Sequence, residues 1–309
     1  MLKLKICIWH LISSLFEKSP ETKPLFGFKR SDDPASAHVQ QSQKFTMHAH
    51  IMVQMIDKTM NVLGPDVDIL SEILMMSAKK HVRFGVEVDH FHCLVEALLE
   101  TLQLLLKDSW GASLEESWRE VFSALSAEMI KAMNHEKAVM QSWEKLKQLD
   151  NYAEVSGSIL FQNLFQLAPE SKLLFDIPID TDPTCETLLA SPRFKMHSSY
   201  FVELLDKALN MMEAKQLEDK LAGLGKSHAS MGVTPNMFQS LGKALLVTLQ
   251  KLQKDDWNEG TEEAWVLVYE KLSKKMIQAV HEAKRRQQRQ KKKFQSVLER
   301  QTSFSTPVA

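Results

Sequence analysis

The sequence predicts an all-α protein made of two tandem helical bundles. Apolar residues recur at three- and four-residue spacing wherever the chain is periodic, no stretch of useful length alternates as a strand, and most of the chain repeats itself once at a long period. The helical spacing is clearest in VQMIDKTM (53–60), HCLVEALLETLQLLL (92–106) and AWVLVYEKLSKKMIQAV (264–280), and prolines mark turns at SPE (19–21), APE (168–170) and SPR (191–193).

The repeat sets the order of the elements. ETKPLFGF around Phe26 matches ESKLLFDI around Phe175, and FTMHAHIMVQMIDK (45–58) matches FKMHSSYFVELLDK (194–207), both at an offset of 149 residues. Further on, KKHVRFGV (79–86) recurs as KSHASMGV (226–233), LLKDSW (105–110) as LQKDDW (252–257) and Trp118 as Trp265, at an offset of 147. The change of two falls where the first copy carries the loop-like NVLGPDVD and the second NMMEAKQ. A period this long predicts tandem domains, because solenoid repeats run about 20 to 50 residues. The expected limits are 1–135, 136–284 and a tail from 285 to 309. AMNHEKAVMQSWEKLKQLD lies between the copies without proline or glycine, so one helix is expected to run almost directly into the next.

Composition narrows the classes. The net charge of −1 gives no support to a charge-driven role for the whole chain, but Lys284–Lys293 holds seven Lys/Arg and no acid. This basic arm is expected to be a solvated extension of the last helix, with acidic lipid, nucleic acid or an acidic protein as possible contacts. The FQSVLERQTSFSTPVA that follows is expected to end disordered, with Thr302, Ser303, Ser305 and Thr306 as candidate phosphosites. Cys7, Cys93 and Cys185 are too few for a disulfide framework and predict a reducing, cytoplasmic setting. No apolar run reaches the roughly 18 residues of a membrane helix. MLKLKICIWHLISSLF imitates a secretory signal, yet no small-residue cleavage site follows and the segment has a counterpart in the second copy, so it is read as a helix of the first.

Of eleven histidines, only two pairs coincide between the copies: His48 with His197 and His81 with His228. Within each copy the partners are 33 and 31 residues apart, on successive helices that could face each other across a pocket. Two imidazoles on opposite walls suit a planar cofactor, one nitrogen ligating a metal and the other ring facing the opposite side. His90 and His92 near Cys93 lack the spacing of a zinc site, and residues two apart on a helix do not face each other. Met55, Met75, Met76, Met211 and Met212 sit at helical apolar spacing and read as core filler. Neither a nucleophile elbow nor a phosphate-cradling glycine loop is present, and no flavin or nicotinamide module follows the repeat.

The pattern K-x-H-x-x-aromatic/Met-G-V ahead of an apolar helix resembles the proximal-histidine helix of the globin family, of the neuroglobin, cytoglobin and flavohaemoglobin haem-domain type, over nearly residues 1–284. The resemblance implies two globin folds, each with one haem b. It makes His81 and His228 the iron ligands and His48 and His197 the distal histidines, possible sixth ligands. Phe26 and Phe175 match the phenylalanine wedged on the haem, Val86 and Val233 the residue packed on its edge, and Phe91 and Phe238 an apolar position on the next helix. Ile12 and Met52, and Phe161 and Phe201, align with the apolar lining, so the second pocket is expected to be the more aromatic. Ser77 and Leu224, one turn before the ligands, offer carbonyls to the second ring nitrogen. The first copy starts at what aligns with the second globin helix, so its first helix is expected to be missing. The implied function is reversible binding or transport of oxygen, with carbon monoxide and nitric oxide as further ligands. The alternatives are a redox enzyme, a nitric oxide dioxygenase or nitrite reductase served by a separate reductase, or a gas sensor.

Overall fold

The computed structural model describes the backbone of residues 2–62, 67–210 and 214–303. The side chains of Cys7, Met75, Met76, Thr302 and Ser303, and the whole of Met211, Met212, Ser305 and Thr306, lie outside the described residues. The helices are α1 (Leu2–Lys18), α2 (Ala37–Gln40), α3 (Gln43–Val62), α4 (Val67–Arg83), α5 (Val88–Leu106), α6 (Ala112–Leu146), α7 (Tyr152–Leu167), α8 (Glu186–Leu189), α9 (Pro192–Asn210), α10 (Ala214–Ser230), α11 (Pro235–Gln253) and α12 (Glu259–Ser303). Short 3₁₀ turns cover Pro20–Phe26 and Pro169–Phe175. No strand occurs among the described residues, and no described helix is long and apolar enough to cross a membrane.

The chain divides into two compact units, Met1–Lys137 and Ala138–Ala309. Helix α6 is uninterrupted across that division, because nothing between Ala112 and Leu146 breaks a helix. Its last turns, with Val139, Trp143 and Leu146, belong to the core of the second unit.

In the second unit that core is one large cluster around Trp143, Phe165, Phe194 and Trp265, with a smaller one under α10 and α12. Its polar groups are satisfied internally. Trp143 Nε1 donates to Asp206 Oδ1 at 2.7 Å, while Ser142 Oγ accepts from Trp265 Nε1 at 2.9 Å and from Gln253 Nε2 at 2.7 Å. Helices α7 and α9 cross closely: a Cβ on Gly157 would lie 2.5 Å from the Ser198 carbonyl oxygen, so the crossing needs glycine. Ser198 follows His197, and the crossing therefore sets how deeply that histidine enters the unit.

The first unit is built differently. Its buried residues fall into three smaller groups, one around Ile12 and Phe16, one around Ala78, Phe91 and Met133, and one around Val95, Leu99 and Phe122. Trp118, equivalent to the fully buried Trp265, is half-buried, and Leu104, Leu105, Leu106 and Leu114 are exposed. Trp9 Nε1 and Trp110 Nε1 are buried with no hydrogen-bond partner among the described residues. Such groups cost about 1–3 kcal/mol each.

The basic arm continues the last helix as an exposed extension, and the helix runs on to Ser303 through part of the segment expected to end disordered. Lys, Arg and Gln are good helix formers, and no proline or glycine follows until Pro307, so the packed part of α12 nucleates a helix that propagates.

Candidate functional site

Each unit brings one pair of histidines together. His48 on α3 faces His81 on α4 with ring centres 6.3 Å apart, and His197 on α9 faces His228 on α10 at 6.2 Å. A single metal ion ligated by both rings would hold their centres about 6 Å apart, from two bonds of about 2 Å and about 1 Å from each nitrogen to its ring centre. The observed separations match that spacing.

The backbone prepares one histidine of each pair. His81 Nδ1 is 2.8 Å from the Ser77 carbonyl oxygen and His228 Nδ1 is 2.8 Å from the Leu224 carbonyl oxygen. A carbonyl can only accept, so in both rings Nδ1 carries a proton, and in the neutral imidazole it is then Nε2 that offers the lone pair. Just beyond each ring the helix stops at a glycine with positive φ, 77° at Gly85 and 91° at Gly232. There Val86 N–H and Val233 N–H return to the His81 and His228 carbonyls at 3.0 and 3.1 Å.

The opposing histidines are kept neutral. Burial, then the facing His228 and Arg193, push His197 down to about 4. Burial and the facing His81 hold His48 below the ordinary imidazole range, although the crevice leaves part of its ring open to water. At pH 7 each therefore presents a lone pair.

In the second unit these rings line an apolar cavity of about 320 Å³, together with Phe161, Phe175, Phe201, Val233 and Phe238. A smaller cavity of about 160 Å³ shares Phe175, His197, His228 and Met231 with it and adds Arg193 and Met196. Phe161 and Phe175 each sit 5.4 Å, centre to centre, from His197, and Phe238 lies 6.2 Å from His228. The first unit places Phe26 5.1 Å from His48 and Phe91 6.4 Å from His81. Ile12 and Met52 pack in the cluster beside Phe26, and Val86 in the one that holds Phe91. With Ile12 and Met52 where the second unit has Phe161 and Phe201, the second site is the more aromatic. Neutral imidazoles paired across apolar walls fit a haem. Among the described residues no three His, Cys, Asp or Glu side chains converge on a point where they could hold a metal.

Sequence reasoning missed several members. Leu174, Leu204, Leu241 and Met276 also line the cavity, and Tyr269 closes its back, donating its hydroxyl to the Phe238 carbonyl at 2.6 Å. Leu204 and Leu241 stand three residues past Phe201 and Phe238, so helical spacing could have found them. Lys23 and Lys172 are a different matter. Both are buried, 7% and 4% exposed, one turn before the wedge phenylalanines. Lys172 Nζ donates to the Ile179 and Thr181 carbonyls at 2.7 and 2.6 Å, and Lys23 Nζ to those of Arg30 and Asp32 at 3.0 and 2.8 Å. Each lysine ties down the loop beyond Phe175 or Phe26, and the only sequence signal was its identity across the repeat. Lys172→Met keeps the apolar stem but leaves two carbonyls unpaired. A stability loss of about 1–3 kcal/mol is expected, read as a lower urea midpoint at unchanged slope.

A protein-family model described as Globin matches residues 10–129 and, separately, 158–276. Among characterised proteins, the chain is similar to anaerobic nitrite reductase GLB0 of Physcomitrium patens, 29% identical over 151 residues, 48% of this chain and 81% of that protein. It is also similar to neuroglobin of Tetraodon nigroviridis, 33% identical over 114 residues, 37% of this chain and 71% of that protein.

Proposed function

The chain belongs to the globin family, a family of haem proteins that handle diatomic gases, and from that premise we propose that each unit holds one haem b and binds oxygen reversibly. The observation that carries this reading is the histidine pair present in both units at 6.3 and 6.2 Å. A bound haem would supply an iron able to take a gas molecule as ligand and to change oxidation state. The protein's part is to anchor and to regulate. His81 and His228 would hold the group through Nε2, each with Nδ1 engaged by a backbone carbonyl. His48 and His197 stand close enough to be able to ligate the same metal, and apparent gas affinity would then fall by the fraction of sites they keep closed. Phe161, Phe175 and Phe201 keep water from the second site.

The test is the visible spectrum of reduced protein before and after carbon monoxide, with the haem-to-chain ratio. Two haems per chain and low-spin bands before the gas is added are expected. A ratio near zero would overturn the haem assignment, and a high-spin ferrous spectrum the six-coordinate resting state.

Similarity to a named nitrite reductase supports a second reading, in which the same sites turn over with a separate reductase. Anaerobic oxidation of the reduced protein by nitrite, followed in the same spectrometer, separates the two.

A further inference from the structure

Helix α12 continues well past the residues that pack it. Its last buried side chains are Ala279 and Val280, with Ala283 against the same cluster, and every residue from Arg285 to Ser296 is exposed. Lys284–Lys293 carries seven cations and no acid, and none of the seven has an ion-pair partner among the described residues. At 3.6 residues per turn these cations spread over a little more than half of the helix circumference. Gln287, Gln290 and Phe294, at three- and four-residue spacing, share the remaining strip. Phe294 is 68% exposed at the end of that strip, and Val297 and Leu298 follow it in the sequence at the same spacing.

A broad cationic arc flanking a narrow strip that ends in an exposed aromatic ring is complementary to a flat, negatively charged surface with an apolar layer beneath it. A nucleic-acid duplex satisfies the cations but has no place for the phenylalanine. Discrete carboxylates on a protein would pair with one side of the arc and leave the other in water. We propose that residues 284–296 of α12 dock this protein on anionic lipid bilayers, the cations that border the strip, Lys284, Arg286, Lys291 and Lys293, facing headgroup phosphates and carboxylates and Phe294 entering the headgroup boundary. The helix is already formed, so docking requires little further ordering of the backbone.

Co-sedimentation of the full chain with vesicles tests this without reference to haem. Partition into phosphatidylcholine vesicles containing phosphatidylserine is expected to exceed that into phosphatidylcholine alone by on the order of tenfold or more, and to weaken as salt rises. Converting Arg286, Lys291 and Lys293 together to Gln is expected to weaken partition on the order of 100-fold, about fivefold per charge. Phe294→Ser should weaken it severalfold at unchanged salt dependence, because the ring contributes by burial and not by charge. Unchanged circular dichroism shows that both variants remain folded. The proposal is overturned by equal partition into both vesicle types, by no partition, by a triple variant that binds like wild type, or by tighter binding to a DNA duplex than to the charged vesicles.

Discussion

His228→Ala is expected to halve the haem content of the purified chain, and His81→Ala to do the same independently, leaving the double variant with almost none. The argument rests on what each ring alone supplies. Nδ1 of both rings is tied to a carbonyl one turn earlier, at 2.8 Å, so the ring is aimed before any cofactor arrives and Nε2 is its one free donor atom. Alanine removes that atom and leaves a gap that the walls do not fill, while His197, packed against Phe161 and Phe175, remains as a weaker single anchor. The measurement is the ratio of haem to protein absorbance for the four proteins, with circular dichroism as the fold control. Loss of both haems from one substitution, or of neither, would refute the assignment of one proximal histidine to each unit.

Trp143→Ala is expected to lower the stability of the second unit by about 3–5 kcal/mol, as large-to-small changes at buried aromatics do. In calorimetry this lowers the unit's transition by roughly 6–20 °C. Trp143 is 2% exposed, packs 5.6 Å from Trp265 and donates to Asp206, so its loss opens a cavity beside Trp265 and removes a buried hydrogen bond. Wild type should show two transitions, the lower one from the first unit. There the leucines from Leu104 to Leu106 face water, and the Trp9 and Trp110 N–H groups lack partners among the described residues. The variant should lower the upper transition until it merges with the lower one. If the lower transition shifts instead, the assignment of the cores is wrong.

Much of the site could be read from the sequence because the chain contains it twice. Residues that touch the crevice diverge more slowly than their surroundings, so Phe26 with Phe175, His48 with His197 and His81 with His228 stayed in register while the helices around them changed. Lys23 and Lys172 were in the same register and still escaped notice. A lysine is expected at the surface, and only the folded loop supplies the pairs of carbonyls that make burial tolerable. The chain from Phe294 to Ser303 was misjudged for the opposite reason. Its composition argues for disorder when the segment is taken alone, whereas a helix already nucleated by packing extends through it.

By itself the sequence determined the all-α class, the doubling and the four histidines, because periodicity and repetition are properties of the chain. Only the tertiary structure decided that the rings of each pair stand 6.3 and 6.2 Å apart and that a carbonyl sets the tautomer of one of them. The same holds for the core, which forms one large cluster and a smaller one in the second unit and three smaller groups among the described residues of the first. These depend on how closely helices approach one another, and that is set by contacts such as Gly157 on Ser198 between residues far apart in the chain.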